Sequence, residues 1–227
     1  MAAKEKLYKD LPRPKLTRAQ IAEIYRRLSI ERPAPETELD YVNPYTLVVA
    51  VALSAQATDI GVNRATKDLF LIADTPEKMV ALGEDTVRDH IKTIGLYRNK
   101  AKNVIKLSQL LIDEFNSEVP ETREELVRLP GVGRKTANVV LNEVFGQPTM
   151  AVDTHIFRVS NRTGMAPGKD PLEVELNLLR VTPEDYLHGG HHWVLLHGRY
   201  VCKARTPECY ACPIQDICRF PKKTPAP

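Results

Sequence analysis

The chain has 227 residues, 43% apolar and 27% charged, with a net charge of +3. That balance describes an ordinary globular protein of one large or two small domains whose core needs no staples. The longest apolar run, residues 47–53, has seven residues, far short of the roughly 20 that a membrane helix needs. The first 15 residues are charged and proline-interrupted, without an apolar signal core. An intracellular, cytoplasmic protein with reduced thiols is therefore expected. The mild positive charge names no partner by itself, so the placement of Lys and Arg must carry that argument.

Residues 1–16 read as a flexible basic lead. Thr17 and Gln20 form a capping box, and Ile21, Ile24, Tyr25 and Leu28 follow at helical spacing. Residues 31–40 are a polar, proline-bearing crossing. Asn43 and Pro44 supply a cap and a first helical residue for a buried helix over residues 45–56. Its valines suit a strand, but its alanines and start signal favour the helix. Further starts lie at Thr75-Pro76, Thr122 with Glu125, Asp170-Pro171 and Thr182-Pro183, and stops at Gly83, Gly95 and Gly146. Residues 99–115 form an amphipathic helix, with Ala101, Val104, Ile105, Ile112 and Phe115 to one side. Arg98, Lys100, Lys102 and Lys106 read as a solvated face. No set of alternating strands is present, so the class is all-α. Residues 221–227 read as a loose tail.

Several positions carry chemistry. Gln56 closes the 45–56 helix; it is a helix-end polar residue or a group able to enter a gap in DNA. Leu96, after Gly95, is core or an apolar wedge. Residues 129–137, Leu-Pro-Gly-Val-Gly-Arg-Lys-Thr-Ala, place Gly131 and Gly133 in a turn between two helices. Such a turn lets backbone N–H groups and the next helix N-terminus approach a phosphate. It echoes residues 94–101 faintly. Lys135, with Arg134 before it, sits at the head of the second helix. A surface lysine is ordinarily a solvated charge; the alternative is a nucleophilic amine. Asp153, in Val-Asp-Thr-His-Ile-Phe-Arg, is an N-cap that can also stabilise an oxocarbenium-like sugar or assist proton transfer. His188 and His192 are four apart, but Gly189 and Gly190 argue against a helix there, so His188, His191, His192 and His197 read as packing and hydrogen-bonding residues.

The strongest local pattern is Cys202, Cys209, Cys212 and Cys218, four thiols within 17 residues. Zinc and a [4Fe–4S] cluster stand level on chemistry alone: zinc sites favour two Cys-x2-Cys pairs and this chain has one. The loop between Cys202 and Cys209 carries Lys203 and Arg205, after Arg199, which suits either phosphate contact or simple solvation.

Taken in order, residues 53–59, 129–137 and 151–159, His192-Trp193, His197-Gly198-Arg199 and the four cysteines resemble the endonuclease III family. The match runs over about residues 17–220, with no departure at the motif positions. The resemblance implies an all-α, two-lobed helix-hairpin-helix DNA glycosylase fold. Residues 37–147 would form a six-helix bundle; residues 1–36 would pack with residues 148–227, which hold a [4Fe–4S] cluster, and DNA would lie along the cleft. It implies a monomer acting on duplex DNA that carries a damaged pyrimidine or an abasic site. Lys135 would be the nucleophile, Asp153 its catalytic partner, and Cys202, Cys209, Cys212 and Cys218 the cluster ligands. Gln56 and Leu96 would fill the space left by an everted nucleotide, and Gly131, Gly133, Arg134, His155, Arg199, Lys203 and Arg205 would face DNA. Adenine-specific mismatch glycosylases share the cluster but differ at the position of Lys135 and carry a further C-terminal domain, which favours the bifunctional branch.

Overall fold

The computed structural model describes residues 8–227. Residues 1–7 of the basic lead lie outside the described residues. Among the described residues the regular structure is helical and no strand occurs, so the all-α class holds.

Helix α1 (Arg18–Glu31) begins at the expected capping box: Thr17 Oγ1 accepts from the Gln20 amide, and Gln20 Oε1 accepts from the Thr17 amide. Its four expected apolar residues, Ile21, Ile24, Tyr25 and Leu28, are all buried. Helix α2 (Pro44–Leu53) is capped by Asn43 and buried along its length from Tyr45 to Leu53. Burial on every side explains the run of valines, which elsewhere signals a strand. It ends three residues earlier than expected, because Gln56 adopts a left-handed φ of 55°. Helices α3 (Asp59–Ile72) and α4 (Pro76–Ile91) follow, and α4 kinks at Gly83, where φ is 78°. Helix α5 (Tyr97–Phe115) starts two residues before the expected position, and its buried line runs through Lys100, Ala101, Val104, Leu107, Ser108 and Leu111. The short α6 (Arg123–Leu126) continues as turns to Leu129. Helix α7 (Arg134–Glu143) leads to α8 (Thr154–Thr163), α9 (Pro171–Val181) and α10 (Leu187–Tyr200), the last preceded by a 3₁₀ turn.

The described residues divide into two compact units, residues 37–147 and residues 8–36 with 148–227. In the first, α4 packs along α5, and Tyr45 shares a 2.5 Å hydroxyl hydrogen bond with Ser108. In the second, Ile24, Tyr25, Met150, Ile156, Val159, Val194 and Ile214 belong to one apolar core. Tyr25 stacks on Tyr186, and its hydroxyl bonds Thr182 at 2.9 Å. Arg27 ties α1 to the C-terminal segment through the Pro213 carbonyl and the Asp216 carboxylate.

Four expectations need correction. Residues 8–16 of the lead are not loose: the Lys15 amide donates to the Gly164 carbonyl, Asn177 and Arg180 both donate to the Pro12 carbonyl, and Leu16 is buried. The tail is likewise tied, since Thr224 Oγ1 donates to the Pro207 carbonyl and accepts from the Cys209 amide. Lys100 does not lie on a solvated face. Its ammonium nitrogen is buried and has no hydrogen-bond partner among the described residues, and burial lowers its pKa.

The fourth concerns Gly189 and Gly190, which lie inside α10 rather than breaking it. A Cβ on Gly189 would meet the Trp193 ring at 2.7 Å, and one on Gly190 would meet Met150 at 2.8 Å. These glycines serve close packing, which outweighs the roughly 1 kcal/mol helix penalty of each. Trp193 is in turn fixed by its Nε1–H, which donates to the Arg32 carbonyl at 2.8 Å. Gly189→Ala should therefore destabilise despite its better helix propensity. Overpacking costs about 1–3 kcal/mol, and each net 1 kcal/mol lost lowers Tm by about 2–4 °C in a chain of this size. A thermal melt in which Gly189→Ala raised Tm would refute the packing explanation.

Candidate functional site

In the 37–147 unit, the chain turns from Leu129 to Gly133 before entering α7. Gly131 has φ 87°, a backbone conformation that favours glycine, and a Cβ there would press on the Asn103 side chain of α5 at 3.3 Å. Gly133 differs: its φ is −93°, and a Cβ would meet nothing within 4 Å. The protein itself does not require glycine at this position, and its absence of side chain leaves the backbone bare to a ligand. Gly133 also caps α7 without any side-chain hydrogen bond. The first N–H groups of α7, together with the positive end of its dipole, are of the kind that can take an anion. Lys135 is the second residue of this helix and is exposed, as is Arg134.

A second pair of turns lies in the same unit. Gln56 has φ 55° and Leu96 φ 59°, and both side chains are exposed. Left-handed backbone in residues other than glycine costs on the order of 1 kcal/mol or more. A Cβ on Gly95 would lie 3.8 Å from the Gln56 carbonyl oxygen, so the two turns sit side by side. Leu96 is 56% exposed, an apolar side chain held out on strained backbone. The structure thus brings Gln56 and Leu96 together, which their separation of 40 positions in sequence could not establish.

In the other unit, Asp153 caps α8. Its Oδ1 accepts both the His155 amide at 2.9 Å and the Ile156 amide at 2.8 Å. Oδ2 takes neither of these bonds, so one carboxylate oxygen holds the helix end. His155 Nδ1 accepts from Arg158 Nη2 at 3.2 Å; because a guanidinium only donates, the ring proton is on Nε2.

The four cysteines are all free thiols and line one small cavity with Thr163, Val201, Ile214 and Phe220. Burial, reinforced by the other three sulfurs, pushes the Cys212 thiol up to about 12, and burial raises Cys218 as well. Four sulfurs facing one apolar cavity can ionise together only beside a compensating cation, so the donor set fits a thiolate-ligated metal centre. Among the described residues, no three His, Cys, Asp or Glu side chains are grouped around a single-ion position. The cavity is walled by His197, which is buried and whose Nε2 lies 3.7 Å from Cys212 Sγ. Burial, then the charge of Arg32, pushes the His197 pKa down to about 4. His188 is exposed and His192 buried, although both lie on α10.

Sequence reading assigned no role to the two arginines that anchor the cysteine loop. Arg158 donates to the carbonyls of Cys202 and Gly198. Arg162 donates to the carbonyls of Lys203 and Ala204 and to Cys202 Sγ. Their signal was present: they lie four apart on the helix that Asp153 caps, hence on one face. Within the loop, Lys203 is paired with Glu208, Arg205 is exposed, and Arg199 lies in the last turn of α10.

Residues 49–184 match the model of the HhH-GPD superfamily of base excision DNA repair proteins. The endonuclease III of Rickettsia felis is 56% identical over 203 residues, covering 89% of this chain and 95% of the relative. That of Escherichia coli is 53% identical over 208 residues, covering 92% and 99% respectively. A solved structure of endonuclease III trapped as a covalent intermediate with DNA superposes with a TM-score of 0.84 at 46% identity, covering 90% of this chain and 96% of that one. The family model spans residues 49–184 and the two curated relatives are 56% and 53% identical over most of both chains, so the chain that carries this glycine turn, aspartate-capped helix and four-thiol cavity belongs to the endonuclease III family of helix-hairpin-helix base excision repair proteins.

Proposed function

We propose that this protein is a bifunctional DNA glycosylase and abasic-site lyase that removes damaged pyrimidines from duplex DNA and nicks the strand. The observation that carries this reading is Lys135 at the head of α7, beside the bare Gly133 turn. The covalent DNA intermediate trapped in a relative of the same fold requires a protein nucleophile, and an exposed primary amine at this position supports that role.

The Gly131–Gly133 turn and the N-terminus of α7 take a backbone phosphate; Arg134, His155 Nε2–H, Arg199, Lys203 and Arg205 add contacts. Lys203 must exchange its Glu208 partner to do so. The damaged nucleotide leaves the stack, which is least costly where stacking is already weakened. Gln56 and Leu96 fill the gap. The neutral Lys135 amine attacks C1′, the C1′–N bond breaks, and the base departs with the bonding pair and takes up a proton. Asp153, through Oδ2, stabilises the developing positive charge at the sugar and assists proton transfer. Ring opening protonates O4′ and leaves a C1′=N⁺ iminium that acidifies C2′. Loss of a C2′ proton expels the 3′ phosphate, and water then hydrolyses the imine to restore Lys135.

Cys202, Cys209, Cys212 and Cys218 would hold a [4Fe–4S] cluster, a reading supported by their all-thiol donor set and by the family pattern. When bound, that group staples the 202–218 loop and takes no part in the reaction. The residues around it act by position: Arg158 and Arg162 fix the loop to α8, whose cap is Asp153.

The test is a release-and-nicking assay on duplexes bearing thymine glycol, uracil, a mismatched adenine or an abasic site. Release of thymine glycol with a break on its 3′ side is expected, along with nicking at the abasic site. Activity on neither substrate would reject the assignment.

A further inference from the structure

Three of the four cysteine sulfurs have an N–H donor aimed at them. His197 Nε2 lies 3.7 Å from Cys212 Sγ, Arg162 Nη1 lies 3.6 Å from Cys202 Sγ, and the Phe220 amide lies 3.4 Å from Cys218 Sγ. A metal-bound sulfur has no proton to give, so it can only accept. The His197 proton then resides on Nε2, and the buried Nδ1, which has no partner among the described residues, carries the lone pair. That is the arrangement that buries the fewest unsatisfied donors. Arg162 is held in place independently: it donates to the Lys203 carbonyl at 2.7 Å and the Ala204 carbonyl at 2.8 Å, and lies 4.6 Å over the Phe220 ring.

We propose that His197 and Arg162 set the reduction potential of the bound iron–sulfur centre through N–H···S hydrogen bonds to Cys212 and Cys202. This inference rests on the [4Fe–4S] reading above. Reduction adds one electron, much of it shared by the sulfurs, and an N–H dipole or a guanidinium pointed at sulfur stabilises the more negative state. The apolar walls given by Val201, Ile214 and Phe220 act the other way, since low polarity penalises added charge. The donors therefore offset the cost of the dry cavity, and their removal lowers the potential. The Phe220 donor is backbone and persists in any side-chain variant, which isolates the two side-chain contributions.

The experiment measures the reduction potential of the purified, iron-loaded full chain by voltammetry on an electrode, together with iron and sulfide content. Four variants are compared: His197→Phe, His197→Gln, Arg162→Leu and Arg162→Lys. Losing a donor should shift the oxidised-to-reduced ratio by about tenfold, equal to about 59 mV for a one-electron couple. His197→Phe and Arg162→Leu should move negative by that amount. His197→Gln and Arg162→Lys, which retain an N–H, should stay closer to the unsubstituted protein. Fully loaded Phe and Leu variants with the parental potential would overturn the proposal. Because His197 is buried, His197→Phe can fail to load; the half-buried Arg162 then decides alone, and an unshifted Arg162→Leu potential overturns the role of the shell. Unsubstituted protein purified with zinc and no iron overturns the cofactor reading itself, an outcome distinct from an unshifted potential in iron-loaded protein.

Discussion

Lys135→Ala should abolish the covalent adduct that borohydride traps on abasic DNA and should reduce strand nicking by about a thousandfold or more, equivalent to about 4 kcal/mol of transition-state stabilisation. The side chain is exposed on the first turn of α7, so its removal should alter folding stability by no more than about 0.5 kcal/mol. That separation gives the experiment its force, because a loss of activity cannot be ascribed to unfolding when the melt is unchanged. Lys135→Arg sharpens it. Arginine keeps the positive charge near the glycine turn and hence the phosphate affinity, but guanidinium stays protonated and cannot form an iminium. Binding without trapping is expected of Lys135→Arg. Trapping that survives in Lys135→Ala would transfer the nucleophile elsewhere.

Asp153→Asn should leave the fold intact and lower base release by about a hundred- to ten-thousandfold. Asparagine caps a helix about as well as aspartate, and its amide oxygen can accept the His155 and Ile156 amides that now end on Oδ1. What asparagine lacks is the negative charge on the second oxygen. Asp153→Ala is the companion: it removes the cap too, and should cost about 0.5–2 kcal/mol of stability in addition to activity. Equal melting of Asn and parent, with a lower Ala variant, measures the cap. Full base release by a well-folded Asp153→Asn enzyme would leave the aspartate with only its capping role.

Elements whose signals are local were legible in the sequence. Thr17 with Gln20, Asn43 with Pro44, Thr75 with Pro76, and Asp170 with Pro171 start helices where expected, because a cap is a contact between residues three positions apart. The cysteine spacing likewise placed four thiols together, and they share one cavity. Features decided by distant partners were not legible. Gly189 and Gly190 read as helix breakers until Trp193 and Met150 are seen against them. The lead read as loose because the side chains that pin it, Asn177 and Arg180, come more than 160 positions later. Lys100 shares a helix with the exposed Lys102 and Lys106, and only packing distinguishes it; nothing in the structure explains why a lysine occupies that buried position. Gln56 and Leu96 could each be suspected, but their shared left-handed backbone is a tertiary result.

The unit that holds the cysteines is assembled from the two ends of the chain, with Arg27 of α1 gripping Pro213 and Asp216. On the ribosome this sets an order of events. The segment from 37 to 147 owns all of its intra-unit neighbours as soon as it has emerged, whereas α1 must wait for partners made roughly 125 to 190 residues later. At ordinary elongation rates the wait for the last of them is roughly 10–40 s. During it an amphipathic helix with Ile21, Ile24, Tyr25 and Leu28 on its apolar side lacks part or all of its core. Nascent chains should therefore present α1 to chaperones until translation is nearly complete.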